Sequence, residues 1–92
     1  MSPASRPQVV RRARLRLDRR SGDYLLLWPE RGLALNPTAA DVLRLCTGSH
    51  TVAAIVTRLA ERYDHTSTDR LSDDVLEFLC DLEERGLVAD AK

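Results

Sequence analysis

Hydrophobic and polar positions change period once along this 92-residue chain, from two to between three and four. From Ala13 to Asp18, leucines alternate with arginines. Leu15 and Leu17 point to one side and Arg14 and Arg16 to the other, the pattern of a half-buried strand. The next run, Tyr24 to Trp28, is apolar at every position. Successive strand side chains leave opposite faces, so Tyr24, Leu26 and Trp28 share one side while Leu25 and Leu27 share the other, and both sides need cover. Pro29 stops this strand, and residues 29–32 read as a turn in which Gly32 takes the positive φ of a bulge. Leu33 to Leu35 is a third, short strand.

Asn36-Pro37 then switches the chain to helix. Asn caps free amides, and proline at the first helical position lacks only a donor that would go unpaired. Ala39, Val42, Leu43 and Cys46 form one stripe, and Gly48 ends this helix. Thr51 caps a second, in which Val52, Ile55, Val56, Leu59 and Tyr63 recur at intervals of three and four. After a polar loop at 64–67, a third helix begins at Thr68 or Ser72 and turns Leu71, Val75, Phe78, Leu79 and Leu82 toward a core. Leu76 and Cys80 widen its apolar arc beyond one face, toward the second helix or toward a ligand. Gly86 stops it, with Leu87 folding back on Leu82 in a Schellman ending.

The predicted order is three strands followed by three helices, an α+β domain in which a three-stranded antiparallel meander lies against a three-helix bundle. Residues 1–12 show no period and two prolines, and read as a flexible, arginine-rich arm. The ordered domain is expected over 13–88, with a short tail at 89–92. In a meander the first and third strands are the edges. The first carries Arg14 and Arg16, the usual guard against unwanted pairing, whereas Leu33-Ala34-Leu35 carries no charge. This uncharged edge predicts a docking site for an extended peptide, unless a helix or a second copy covers it.

Charge is zero overall but unevenly spread: residues 1–20 hold seven arginines against Asp18 alone, and the remainder is acidic in compensation. The N-terminus has no apolar segment of the secretory kind, so the cytoplasm is expected, and no apolar run is long enough to span a membrane. In a reducing compartment Cys46 and Cys80 read as small buried hydrophobes.

Four stretches carry a family resemblance across nearly the whole domain: LLWPERGLALNPTAA (26–40), LCTG (45–48), TVAAIV (51–56) and DVLEFLCDLEERGL (74–87). In this order and spacing they resemble the PqqD family, the peptide chaperones of pyrroloquinoline quinone biosynthesis and members of the RiPP precursor-peptide recognition elements. The resemblance implies a winged-helix-like fold that takes the precursor peptide PqqA as an added strand and presents it to the radical SAM enzyme PqqE. Carried onto this chain, the site is the backbone of Leu33, Ala34, Leu35 and Asn36, with Val75, Phe78, Leu79 and Leu82 of the third helix. Ala54 stands where that family often carries an acid, which removes a capping box.

Two other classes fit the residues less well. A small winged-helix-type nucleic-acid-binding domain needs cations on its reading helix. The third helix instead carries Asp73, Asp74, Glu77, Asp81, Glu83 and Glu84 against Arg70 and Arg85. An enzyme needs a phosphate loop, a nucleophile elbow or a paired acid and base, and none is present. Asp73 and Asp74 are neighbours on a helix, so their carboxylates point about 100° apart. Cys46, His50, His65 and Cys80 lack the spacing of a zinc site. The expectation is a non-catalytic binding protein without cofactor or metal, whose Tyr24, Leu26 and Trp28 face a partner enzyme or a second copy in a homodimer.

Overall fold

The computed structural model describes residues 1–63 and 67–91. The chain order is β1 (Pro7–Val9), β2 (Arg14–Leu17), β3 (Tyr24–Trp28), β4 (Arg31–Leu35), α1 (Pro37–Arg44), α2 (Val52–Arg62), α3 (Thr68–Glu84) and β5 (Val88–Asp90). The expected meander is β2-β3-β4, antiparallel throughout, with β3 in the middle. The polar loop expected at 64–67 falls largely outside the described residues.

The turn between β3 and β4 differs from expectation in one detail. Two residues, Pro29 and Glu30, connect the paired Trp28 and Arg31. The positive φ falls on Glu30, at 67°, and not on Gly32. Proline fixes the first turn position near −65°, which leaves the left-handed region to the second. Gly32 serves packing instead: a Cβ there would meet Leu27 Cδ2 of the facing strand at 2.9 Å.

The helix ends follow the sequence closely. Asn36 Oδ1 accepts the Ala39 amide at 2.8 Å, and Thr51 Oγ1 accepts that of Ala54 at 3.1 Å. At the end of α3 the Leu87 amide reaches the Leu82 carbonyl and that of Gly86 reaches Glu83, the two bonds of a Schellman motif around Gly86 at φ 73°. Leu82 and Leu87 are both fully buried against each other's region of the core. Helix α1 stops earlier than its stripe implies: Cys46 lies beyond it, buried, its thiol bonded to the Val42 carbonyl.

Residues 1–12 are not a free arm. β1 pairs antiparallel with β5, so the two ends of the chain form a second, two-stranded sheet. Pro7 and Ser5 are buried, and the carbonyls of Ser5 and Pro3 accept the amides of Val52 and Ala53 in the first turn of α2. The expected tail at 89–92 likewise begins inside a strand. Three-residue strands are too short to show a period, and their partners stand some eighty residues apart. Arg12 donates to the carbonyls of Arg85 and Gly86, satisfying the negative end of α3.

The core gathers Leu26 and Leu35 from the sheet, Val42 and Leu43 from α1, Ile55 and Leu59 from α2, and Val75, Leu79 and Leu82 from α3. Tyr24 and Trp28 pack against it from the same sheet face. Tyr24, Leu26 and Trp28, expected to face a partner enzyme or a second copy, are turned inward instead. The widened arc of α3 is met on one flank by the N-terminus, whose amine lies 3.5 Å from Cys80 Sγ and 3.4 Å from Glu83.

Candidate peptide-binding edge

β4 is an edge strand, and the hairpin fixes which of its groups are vacant. In a two-residue hairpin the closing pair is hydrogen-bonded, so Trp28, Leu26 and Tyr24 bond to Arg31, Leu33 and Leu35. The opposite edge agrees: Asp18 donates to the Asp23 carbonyl at 2.7 Å, which places Asp23, Leu25 and Leu27 on the β2 side. The amides and carbonyls that point away from the sheet therefore belong to Gly32 and Ala34. Among the described residues, no backbone or side-chain group bonds to either. The sequence expectation of Leu33 to Leu35 narrows accordingly: Ala34 is free, while Leu33 and Leu35 are committed to β3.

Beside the end of this strand lies a depression of about 300 Å³ between α1 and α3. Its floor is the buried Val42, Leu71 and Val75, its walls are Ala39 and Phe78, and its rim carries Asn36, Thr38 and Asp74. Asn36, Val75 and Phe78 line it together, but its second wall is α1 and not the third strand: Leu33, Ala34 and Leu35, expected to share a groove with the third helix, do not line it. Leu79 and Leu82 do not line it either. Both are fully buried and serve the core, because α3 turns its 71-75-79-82 stripe inward and leaves Phe78 on the flank. Gly32, Thr38, Ala39 and Asp74 are additional members that the sequence reading does not pick out. The two-residue turn was the available signal for Gly32, since it sets the parity of the whole edge.

The chemistry of this region is hydrogen bonding and apolar burial. The Cys46 thiol has its pKa pushed up to about 12 by burial, the opposite of nucleophile activation. The Tyr63 phenol is also raised, because it donates to Asp41, a contact that ties α2 to α1. Among the described residues, no three His, Cys, Asp or Glu side chains gather as metal ligands; His65 lies outside them. No helix among them is long and apolar enough to cross a membrane.

Comparison with known proteins places this geometry in context. Residues 23–88 match the family model described as coenzyme PQQ synthesis protein D (PqqD). A PqqA binding protein of Rhodopseudomonas palustris (strain BisB5) is 37% identical over 92 residues, spanning 100% of this chain and 89% of that protein. One from Bradyrhizobium diazoefficiens is 35% identical, spanning 100% and 88%. The solution structure of the PqqD truncation of Methylobacterium extorquens PqqCD, termed a functional and stand-alone RiPP recognition element, superposes with a TM-score of 0.82. It is 32% identical and covers 96% of this chain and 93% of its own. The crystal structure of PqqD from Xanthomonas campestris is 30% identical, with a TM-score of 0.58 over 95% and 96%.

Proposed function

This chain belongs to the PqqD family, and from that premise we propose that it is a non-catalytic peptide chaperone that takes PqqA as a strand along β4 and presents it to PqqE. Its relatives carry the name of PqqA binding proteins, which supports a peptide-binding role in pyrroloquinoline quinone biosynthesis. The observation that carries strand addition is the vacant, uncharged edge at Gly32 and Ala34. Main-chain bonds to those residues supply affinity, and side chains of the ligand choose among neighbouring pockets. The α1/α3 depression at Asn36 is placed to receive one such side chain, with Phe78 as its apolar wall. Presentation to a radical SAM enzyme is the part of this reading that rests on the family resemblance alone.

Amide chemical-shift mapping with PqqA tests this reading. Perturbations at Gly32, Ala34, Thr38, Ala39, Asp74 and Phe78 are expected. Shifts confined to the arginines of residues 6–20 would contradict it and indicate a purely electrostatic contact.

A further inference from the structure

The far face of the meander lies away from the helices. Leu25 and Leu27 stand at its centre, half-buried, and neither joins the core cluster. Across the ladder, Leu27 faces Arg14 on one side and Gly32 on the other, and Leu25 faces Arg16 and Ala34. The face therefore grades from guanidinium, through leucine, to residues with almost no side chain. Arg11 and Arg12 flank one end and Arg19 and Arg20 the other, around two shallow depressions of about 550 and 920 Å³.

The charges on this face are unbalanced. Among the described residues, no ion pair involves Arg11, Arg14, Arg16, Arg19 or Arg20. Asp18, the nearest acid in sequence, is committed to its own loop, accepting from the Arg20 amide and the Ser21 hydroxyl. Unpaired arginines around an aliphatic strip are the composition of an interface, where the guanidinium fork meets carboxylates and leucine is desolvated. A second copy laid face to face brings the same arginines and leucines and, with no acidic residue on β2, β3 or β4, no carboxylate from the sheet to pair them. A phosphate backbone would satisfy the cations and leave Leu25 and Leu27 uncovered.

We infer that this sheet face docks an acidic protein surface with an aliphatic centre, whose carboxylates meet Arg14 and Arg16 while its apolar residues cover Leu25 and Leu27. The inference rests on the chaperone reading and deepens it by naming where the modifying enzyme sits. Its consequence is geometric. A peptide strand added to β4 extends the same sheet, so alternate side chains emerge on this very face beside Ala34, directly toward the docked partner. Edge and face are used together, and neither blocks the other.

The test uses PqqE as the probe and the exposed pair Arg14→Glu/Arg16→Glu, with Arg58→Glu/Arg70→Glu as a charge-matched control on the helices. PqqA affinity is measured in parallel by calorimetry. PqqE association is expected to fall by at least about tenfold in the first pair, and to change by less than about twofold in the control. PqqA affinity should stay within about twofold for the first pair. Equal losses in both pairs would reduce the effect to net charge and overturn the proposal. Wild-type protein that binds PqqA but forms no complex with PqqE would overturn it and leave strand addition standing; failure to bind PqqA would instead sink the chaperone reading. Duplex DNA binding, or self-association, that disappears on charge reversal while PqqE binding persists would assign the face to those occupants.

Discussion

The two edges of the meander offer the same main-chain groups and opposite chemistry. On β2, the outward amides and carbonyls belong to Leu15 and Leu17, and on β4 to Gly32 and Ala34. Arg14 and Arg16 alternate with the former; they repel a strand that brings its own cations, and a strand without acids would desolvate them with no carboxylate in return. Nothing charged alternates with the latter within Gly32 to Leu35. An edge strand stays unpaired because its neighbours are unsuitable for pairing, and β4 lacks that protection where a ligand edge would need to lack it.

Proline substitution breaks this comparison most sharply, because its effect depends on which way the amide points. Leu33→Pro removes a ladder donor to Leu26 and is expected to destabilise the domain by about 3 kcal/mol or more in urea unfolding. Ala34→Pro removes a donor that points outward, so stability should fall by less than about 1 kcal/mol. PqqA affinity in the same variant should drop about tenfold to hundredfold by calorimetry. Leu17→Pro is the matching change on the guarded edge, at an exposed side chain, and should leave PqqA affinity unaltered within about twofold.

Removing the guard makes the edges alike. Arg14→Ser/Arg16→Ser is expected to allow β2 to pair between copies, visible as a concentration-dependent increase in sedimentation coefficient that wild type does not show. The smallest effect concerns the turn that sets the register of β4. Glu30 holds a left-handed backbone that glycine adopts freely, so Glu30→Gly should stabilise by about 0.5–1 kcal/mol, raising Tm by a few degrees.

Much of this contrast can be read from the chain itself. The alternation of Leu15 and Leu17 with arginines, the caps at Asn36 and Thr51, and the Gly86-Leu87 ending are local signals, and the structure reproduces each. Apart from the turn, where the left-handed residue is Glu30 and not Gly32, and the early end of α1, the failures are non-local. β1 is stabilised by β5 at the other end of the chain and by the first turn of α2, and no window along Pro7 to Val9 contains that information. The inward turn of Tyr24, Leu26 and Trp28 is of the same kind, because a strand apolar on both faces gives no cue to which face the helices cover. Among the expected site residues, Phe78 was not separable by sequence from Leu79 and Leu82, which the fold buries fully. A seventeen-residue helix with apolar residues at adjacent positions presents a broad arc, and only packing decides which flank stays open.

Hydrogen exchange at single amides reports which groups of β4 await a ligand strand. Gly32 and Ala34 are expected to exchange freely in the unliganded protein while Leu33, between them, is protected by its bond to β3. Saturating PqqA should then slow Gly32 and Ala34 by more than about tenfold. Protection of both amides before the peptide is added, or unchanged exchange after it is bound, would show that β4 is not where the ligand strand pairs.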